Sequence, residues 1–314
     1  MNVYKFLILG VLLCVFHDSA SAMKRKKRKL ESLSENKESS LSQGSDIKAL
    51  DDFEKGYLFL SENWEMFEGL NDDDSGETLV KLCLKKLLEM RDEKGNSFLH
   101  HAVKNNDIKF VKGCIRMGLR IDARNDEGKM PLDLANEAGH VEVRDLLQIN
   151  LNLLASAYNG NFDGVQKALD AGACPNVRDV FTYTPLLWAA QINSKIAQFL
   201  IDRGACVNSK GFSGHTPLIM AMRLGLGSEA LVEKLLVAGA YIDCVDSENR
   251  TPLWWAACNG HLEVVRQLLA AEADTTIRDT VFQDTALDIA RKNEHAEIVA
   301  LLEDHQRRKL VTNK

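Results

Sequence analysis

A segment that begins around a leucine recurs seven times along this 314-residue chain, and this repetition constrains the fold more than any other feature. The steps between successive leucines are 33, 21, 33, 32, 35 and 34 residues. A period of this length is typical of repeat proteins, in which each unit buries its apolar face against its neighbours. The chain length therefore predicts a number of stacked repeats rather than two separate globular cores. The seven segments open at Leu99, Leu132, Leu153, Leu186, Leu218, Leu253 and Leu287.

The residues around these leucines indicate the kind of repeat. They include Thr184-Pro-Leu-Leu-Trp-Ala189 and Thr251-Pro-Leu-Trp-Trp-Ala256, with Gly-Ala turns at Gly172-Ala173, Gly204-Ala205 and Gly239-Ala240. This pattern resembles the ankyrin-repeat family over about residues 92–305. The resemblance implies an all-α solenoid of helix-turn-helix units joined by β-hairpin loops. It also implies a protein partner held along the concave side and the hairpin tips.

Each repeat carries signals for its own helices. Thr184 and Thr251 are suited to cap a helix, and the proline after each suits the first helical position, where its missing N–H is not needed. Glycine after the second helix tolerates the positive φ that ends it. Alanines such as Ala189 and Ala256 allow neighbouring helices to approach closely.

Two departures from the pattern predict local changes. The step from Leu132 to Leu153 is about twelve residues shorter than the others, so we expect a hairpin to be missing near residue 150. A bend between repeats 1–2 and 3–7 is a second, open expectation from the same short step. In the last repeat Ala286 replaces proline, and polar residues follow it, which is typical of an end cap. We place the end of the array at residue 305 and a C-terminal tail at 306–314.

Residues 1–22 have the pattern of a secretory signal peptide. An apolar run covers residues 6–16, and Ala20-Ser21-Ala22 matches the small-x-small cleavage rule. Eleven apolar residues extend about 16 Å as a helix, whereas a bilayer core of about 30 Å needs roughly 20. We therefore expect export with cleavage after Ala22; an uncleaved membrane anchor is the alternative.

A cluster of six basic residues follows the cleavage point. It leaves the remainder of the chain with a net charge of −12, against −6 for the whole. The cluster opens a Ser-rich stretch, 23–45, that we predict to be a flexible linker. Its function stays open between a solvated tail, a nuclear-localisation signal, contact with anionic lipid headgroups and a dibasic processing site. The cluster consists of Lys24, Arg25, Lys26, Lys27, Arg28 and Lys29.

Residues 46–91 are predicted to form a helical cap on the array. Asp74 followed by Glu77 matches a capping box. Apolar residues from Leu79 to Leu88 then recur at helical spacing, with Lys81, Lys85 and Lys86 between them.

The sequence offers no catalytic, cofactor-binding or metal-binding motif. Cys258 and His261 have half of a zinc spacing, but no second ligand pair accompanies them. Cys174 and Cys206 occupy the same position in successive repeats, one helix spacing of about 8–10 Å apart, which is too far for a disulfide. We therefore expect free thiols, no cofactor and no enzymatic activity.

The loop tips of the later repeats carry aromatic and arginine side chains, which are enriched in protein interfaces. We predict that they bind the partner. Trp188 and Trp255, by contrast, occupy a position that is aliphatic in other repeats, and we expect them to pack in the core. The candidate partner-binding residues are Phe181, Tyr183, Phe212, His215, Glu248, Arg250, Trp254 and Phe282.

Together these features predict a monomeric, exported scaffold for protein–protein interaction. By analogy alone, an export signal, a basic cluster and ankyrin-like repeats would suit an effector of a host-associated bacterium. Direct nucleic-acid binding is disfavoured, because the chain after the basic cluster has a net charge of −12, which repels the phosphate groups of a nucleic acid. Two alternatives remain: a regulator directed to the nucleus by residues 24–29, and a scaffold tethered to a membrane by its N-terminus.

Overall fold

The computed structural model describes Leu60, residues 89–223 and residues 229–312, with side chains described up to residue 309. The signal peptide (1–22), the basic cluster and linker (23–45), and Cys83 lie outside these residues. The predicted cap (46–91) also lies outside them, apart from Leu60 and residues 89–91.

Thirteen α-helices form in the described residues, which divide into two units. Of the described residues, Leu60, 89–119 and 124–144 belong to unit 1, and 120–123, 145–223 and 229–312 belong to unit 2. The helices of unit 1 are α1 (Phe98–Lys104), α2 (Ile108–Arg116) and α3 (Pro131–Ala138), and α4 (Val141–Tyr158) passes from unit 1 into unit 2. Those of unit 2 are α5 (Phe162–Asp170), α6 (Pro185–Ile192), α7 (Ser194–Asp202), α8 (Pro217–Arg223), α9 (Glu229–Val237), α10 (Pro252–Cys258), α11 (Leu262–Ala270), α12 (Ala286–Lys292) and α13 (Ala296–Thr312).

The first helix of each repeat in unit 2 begins as its sequence predicts. The Thr184 and Thr251 hydroxyls accept the N–H of the residue three positions later, at 3.3 and 3.1 Å. Proline takes the first position of α6 and α10. In α12, where Ala286 replaces proline, Thr285 and Asp288 form a reciprocal capping box.

Helices of unit 2 pack in two layers. Helix α6 packs on α8, α8 on α10, and α10 on α12, while α7 packs on α9, α9 on α11, and α11 on α13. One leucine per repeat and one alanine per repeat are buried along the first layer, so the helices meet closely. This is the arrangement of an all-α solenoid, as the sequence predicts. The buried leucines are Leu186, Leu218, Leu253 and Leu287, and the alanines are Ala189, Ala221, Ala256 and Ala290.

One asparagine or aspartate per repeat in unit 2 fixes the turn of the next repeat. The Asn176 carboxamide oxygen accepts the Cys206 N–H at 2.7 Å, and the Asn208 oxygen accepts the Tyr241 N–H at 2.8 Å. Asn150 bonds the Cys174 N–H in the same way. We call these bonds the inter-repeat joints; they tie each turn to the one before it.

Residues 141–158 form one continuous helix, α4, so no hairpin interrupts the chain around residue 150. The C-terminal end differs from expectation. Helix α13 continues through Thr312 and does not stop at residue 305, where we placed the end of the array, so it includes most of the predicted tail at 306–314. No glycine or proline occurs in this stretch, and an ion pair between Arg308 and Asp304, four residues apart, favours another turn.

The connections between repeats are loops rather than two-stranded hairpins. The described residues contain isolated bridges, Arg91 with Ser97 and Arg120 with Arg178, and no extended strand. The β-hairpins implied by the family resemblance are thus shortened to tight turns.

Candidate functional site

Four loops of unit 2 carry most of the predicted binding residues. Each is closed by a hydrogen bond from a backbone N–H near its start to a carbonyl near its end, at 3.0–3.2 Å. A residue with positive φ makes each turn, namely Thr182, Gly214, Asn249 and Gln283. We call them loop A (178–183), loop B (210–215), loop C (245–250) and loop D (278–284).

Neighbouring loops are bonded to one another. The Arg178 guanidinium of loop A donates to the Lys210 carbonyl of loop B at 2.9 Å. The Ser247 N–H of loop C donates to the Ser213 carbonyl of loop B, and the Thr280 N–H of loop D donates to the Glu248 carbonyl, both at 2.9 Å. The four tips are therefore held side by side.

An aspartate organises loops A, C and D from inside. In loop A, Asp179 Oδ1 accepts the N–H groups of Phe181 and Tyr183 at 2.9 and 2.8 Å. Asp246 in loop C makes the same pair of bonds, and Asp279 in loop D also accepts backbone N–H groups. All three are more than nine-tenths buried. Loop B has Gly211 at this position instead.

The tip of loop A rests on an aromatic cluster. Trp188 Nε1 donates to Asp179 Oδ2 at 2.8 Å, and the Tyr183 ring stacks on the Trp188 ring with centroids 4.6 Å apart. Tyr158 meets Trp188 edge-on at 4.9 Å. Because the polar atom of Trp188 is bonded to the loop, the ring holds the loop to helix α6.

In loop C a tryptophan also donates to the loop aspartate, and an arginine side chain lies over the tryptophan ring. Trp255 Nε1 donates to Asp246 Oδ2 at 3.1 Å, nine residues along the chain as in loop A. The Arg250 guanidinium lies 4.4 Å from the Trp255 ring centroid and donates to Asp246 and Glu248. A cation over an aromatic face is favourable, so Arg250 is fixed on this surface.

The predicted placement of the tryptophans was wrong. Trp188 and Trp255 are half-buried at the surface, since each must reach the carboxylate of its loop. Trp254, a candidate surface residue, is buried, and its Nε1 has no hydrogen-bond partner among the described residues. The sequence did not predict that Trp188, Trp255 and Tyr158 take part in the packing that holds loops A and C. The nine-residue spacing from loop aspartate to tryptophan is the signal that points to the first two.

The remaining candidates separate into exposed and buried residues. Phe181, Phe212 and Phe282 are 60%, 81% and 72% exposed, and Lys292 Nζ lies 5.4 Å from the Phe282 centroid. Tyr183, Glu248 and Arg250 are half-buried. His215 is buried, so its side chain is not presented to a partner.

Burial shifts the pKa values of ionisable groups under loops A and B. Burial raises the pKa of Asp122 to about 6, and the negative charge of Asp179 adds to the shift. Burial likewise raises the pKa of Asp179, opposed by its bond from Trp188. The pKa of His215 is lowered, first by burial and then by the charge of Arg223. His215 is therefore neutral at pH 7, and the positive charge around loop B comes from other residues.

Chemistry-bearing groups elsewhere in the described residues form no centre. No cluster of three or more histidine, cysteine or acidic side chains there could hold a metal ion. The cysteines there form no disulfide with one another; they are Cys114, Cys174, Cys206, Cys244 and Cys258. Among the helices of the described part, none is long and apolar enough to cross a membrane.

Stacked helix pairs with bonded loop tips define the class of helical repeat scaffolds. A family model for ankyrin repeats (three copies) matches residues 153–236 and 224–313, about half of the chain. The chain belongs to the ankyrin-repeat family.

Two curated relatives share parts of the chain. One is the transient receptor potential cation channel subfamily A member 1 of Drosophila melanogaster, 25% identical over 233 residues, or 73% of this chain and 15% of the channel. Another is a putative ankyrin repeat protein of fowlpox virus (strain NVSL), 31% identical over 145 residues, or 45% of this chain and 42% of that protein. The chain thus spans less than half the length of either relative.

Proposed function

We propose that this chain is a non-enzymatic scaffold that binds a partner protein through the tips of loops A, B and D. The observation that carries the proposal is the exposure of large apolar side chains on these bonded loops. We call this set the tip surface; it comprises Val180, Phe181, Phe212, Val281 and Phe282, which are 43–81% exposed. Apolar groups that could be covered by a partner favour association, and aromatic residues commonly dominate the binding energy.

The rigidity of the loops supports this function. Buried aspartates hold loops A, C and D, and bonds between loops fix their order. A surface ordered before binding loses less conformational entropy when a partner docks. The half-buried Arg250, fixed over Trp255, adds a polar group beside the apolar tips.

Replacing Phe181, Phe212 and Phe282 together by alanine is expected to weaken partner binding at least about a hundredfold, since each buried aromatic anchor contributes on the order of 1–2 kcal/mol. The measurement is affinity capture with quantitative mass spectrometry, followed by calorimetry with the purified partner. Val237→Ala is the matched control, because Val237 is an 84% exposed apolar residue of helix α9 and belongs to none of the four loops. If the triple variant retains every partner that the Val237→Ala variant retains, the tip surface is not the binding site.

We also propose that the chain acts after export, as an effector would, with residues 1–22 removed. The apolar run 6–16 and Ala20-Ser21-Ala22 support this proposal. N-terminal sequencing of the mature protein should then begin at Met23. A start at residue 29, after Arg28, would show processing at the basic cluster, and an intact Met1 in a membrane fraction would contradict export with cleavage.

A further inference from the structure

We propose that Asn159 is a site of spontaneous deamidation, at which a carboxylate replaces the side-chain amide without the help of an enzyme. The chain contains two Asn-Gly pairs, Asn159-Gly160 and Asn259-Gly260. In such a pair the glycine has no side chain to keep its backbone nitrogen away from the preceding carboxamide. The fold holds the two pairs differently, and the difference points to Asn159.

Deamidation proceeds in two steps that consume only water. The Gly160 nitrogen attacks Cγ of Asn159 and closes a succinimide ring. The bond from Cγ to Nδ2 breaks in the same step, and the proton of the glycine amide leaves with that nitrogen as ammonia. A water molecule then adds to either ring carbonyl and opens the ring. The products are aspartate, or isoaspartate, in which the chain continues through the former side chain.

The two pairs occupy equivalent positions, so the backbone does not distinguish them. Each asparagine comes directly after a helix, α4 or α10, and lies six residues after the leucine of its repeat. Gly160 and Gly260 both have positive φ, 68° and 77°. The Gly160 N–H donates to the Ala157 carbonyl at a long 3.3 Å, and the Gly260 N–H has no backbone acceptor among the described residues. Any difference in reactivity therefore comes from what holds the side chain and its turn.

Asn259 is held by the repeats on both sides of it. Its Nδ2 donates to the Met222 carbonyl of the repeat before at 2.8 Å. From the repeat after, Asn293 Nδ2 donates to the Cys258 carbonyl at 2.8 Å, and His295 Nε2 lies 3.1 Å from the same oxygen. The turn at Asn259 therefore opens toward attack only when hydrogen bonds to neighbouring repeats break.

Asn159 is exposed, and its carboxamide forms no hydrogen bond to another described residue. No side chain in the described ranges donates to the Tyr158 carbonyl that precedes it. Asn159 also lines a cavity of about 340 Å³ between α4 and α5, together with Ser156 and Lys167. This open space admits the water that the second step consumes. The Asn159 side chain can therefore turn toward the Gly160 nitrogen without breaking a bond to the protein.

Deamidation at this position changes the surroundings of loop A. It adds a negative charge directly after Tyr158, whose ring meets the Trp188 ring edge-on at 4.9 Å. Isoaspartate also adds a carbon atom to the backbone of the turn between α4 and α5. The reaction thus alters charge and turn geometry beside the aromatic cluster on which loop A rests.

The test follows both pairs in one sample of the full native chain, kept in mildly alkaline buffer and digested with trypsin at intervals. Asn159 lies in the tryptic peptide 145–167 and Asn259 in 251–266, so mass spectrometry measures the two conversions separately. The sample taken at the start corrects for conversion during digestion. We expect Asn159 to convert at least about ten times faster than Asn259, a factor that the loss of ordinary hydrogen bonds accounts for.

The same chain in concentrated urea is the control, because both pairs lose their protein contacts there and should convert at similar rates. In an Asn293→Ala, His295→Ala double variant, shown by circular dichroism to be folded, conversion at Asn259 should rise while that at Asn159 stays unchanged. If this variant does not fold, the wild-type comparison decides alone. The proposal is overturned if Asn259 converts as fast as Asn159 in the native chain, or if Asn159 converts only in urea.

Discussion

Replacing Asp246 by alanine is expected to lower the free energy of unfolding by about 3–5 kcal/mol, one of the largest effects of a single substitution in this chain. The Asp246 side chain is fully buried and accepts hydrogen bonds from the Glu248 and Arg250 N–H groups, from Arg250 Nε and from Trp255 Nε1. Its removal leaves all four donors without this acceptor, and it leaves the half-buried Arg250 with Glu248 as its remaining ion-pair partner. Urea denaturation followed by circular dichroism measures the loss.

Two further variants separate the effect of the buried charge from that of the lost hydrogen bonds and from that of removing any carboxylate. Asp246→Asn keeps an oxygen acceptor but removes the charge, so we expect an intermediate loss. Asp202→Ala removes an exposed carboxylate that pairs with Lys234, and we expect a change of at most about 1 kcal/mol. Equal losses in the Asp246→Ala and Asp202→Ala variants would show that loop C does not depend on its buried carboxylate.

Replacing Leu186 by alanine is expected to destabilise unit 2 by about 2–5 kcal/mol, because the surrounding helices can close only part of the cavity that it leaves. Leu186 is completely buried in helix α6, which packs on both α7 and α8. The loss should appear as a lower midpoint in urea denaturation.

Ile192→Ala is the control for this substitution, since Ile192 lies on the same helix and is 38% exposed. It should cost less than about 1 kcal/mol, because much of the removed surface already contacts water. Similar midpoints for the Leu186→Ala and Ile192→Ala variants would mean that this leucine row does not form the core of unit 2.

The repeat pattern predicted the fold correctly because its signals are local. Thr184 and Thr251 cap the helices that they precede, and the buried leucines recur at the spacing read from the sequence. Helix α4 also explains the short 21-residue step from Leu132 to Leu153. The second helix of one repeat continues directly into the first helix of the next, with no connecting loop between them. These features depend on residues close together in the chain.

The site was less predictable, because it depends on contacts between a loop and the helix after it. Position in the repeat places Trp188 and Trp255 on one helix face, but it does not reveal that each indole N–H reaches a loop carboxylate. Position in the repeat likewise does not reveal that His215 is buried. The exposed Phe181, Phe212 and Phe282 could be predicted, since loop tips have few atoms above them.

The inter-repeat joints have a consequence for how such a chain can change in length. Asn176 and Asn208 present the same carboxamide oxygen to the same backbone position one repeat later, 30 and 33 residues away. A gene rearrangement that removes or duplicates one whole repeat therefore joins matching groups at the new boundary. A rearrangement of part of a repeat leaves an asparagine without its amide partner, so viable length variants of this chain should differ by whole repeats.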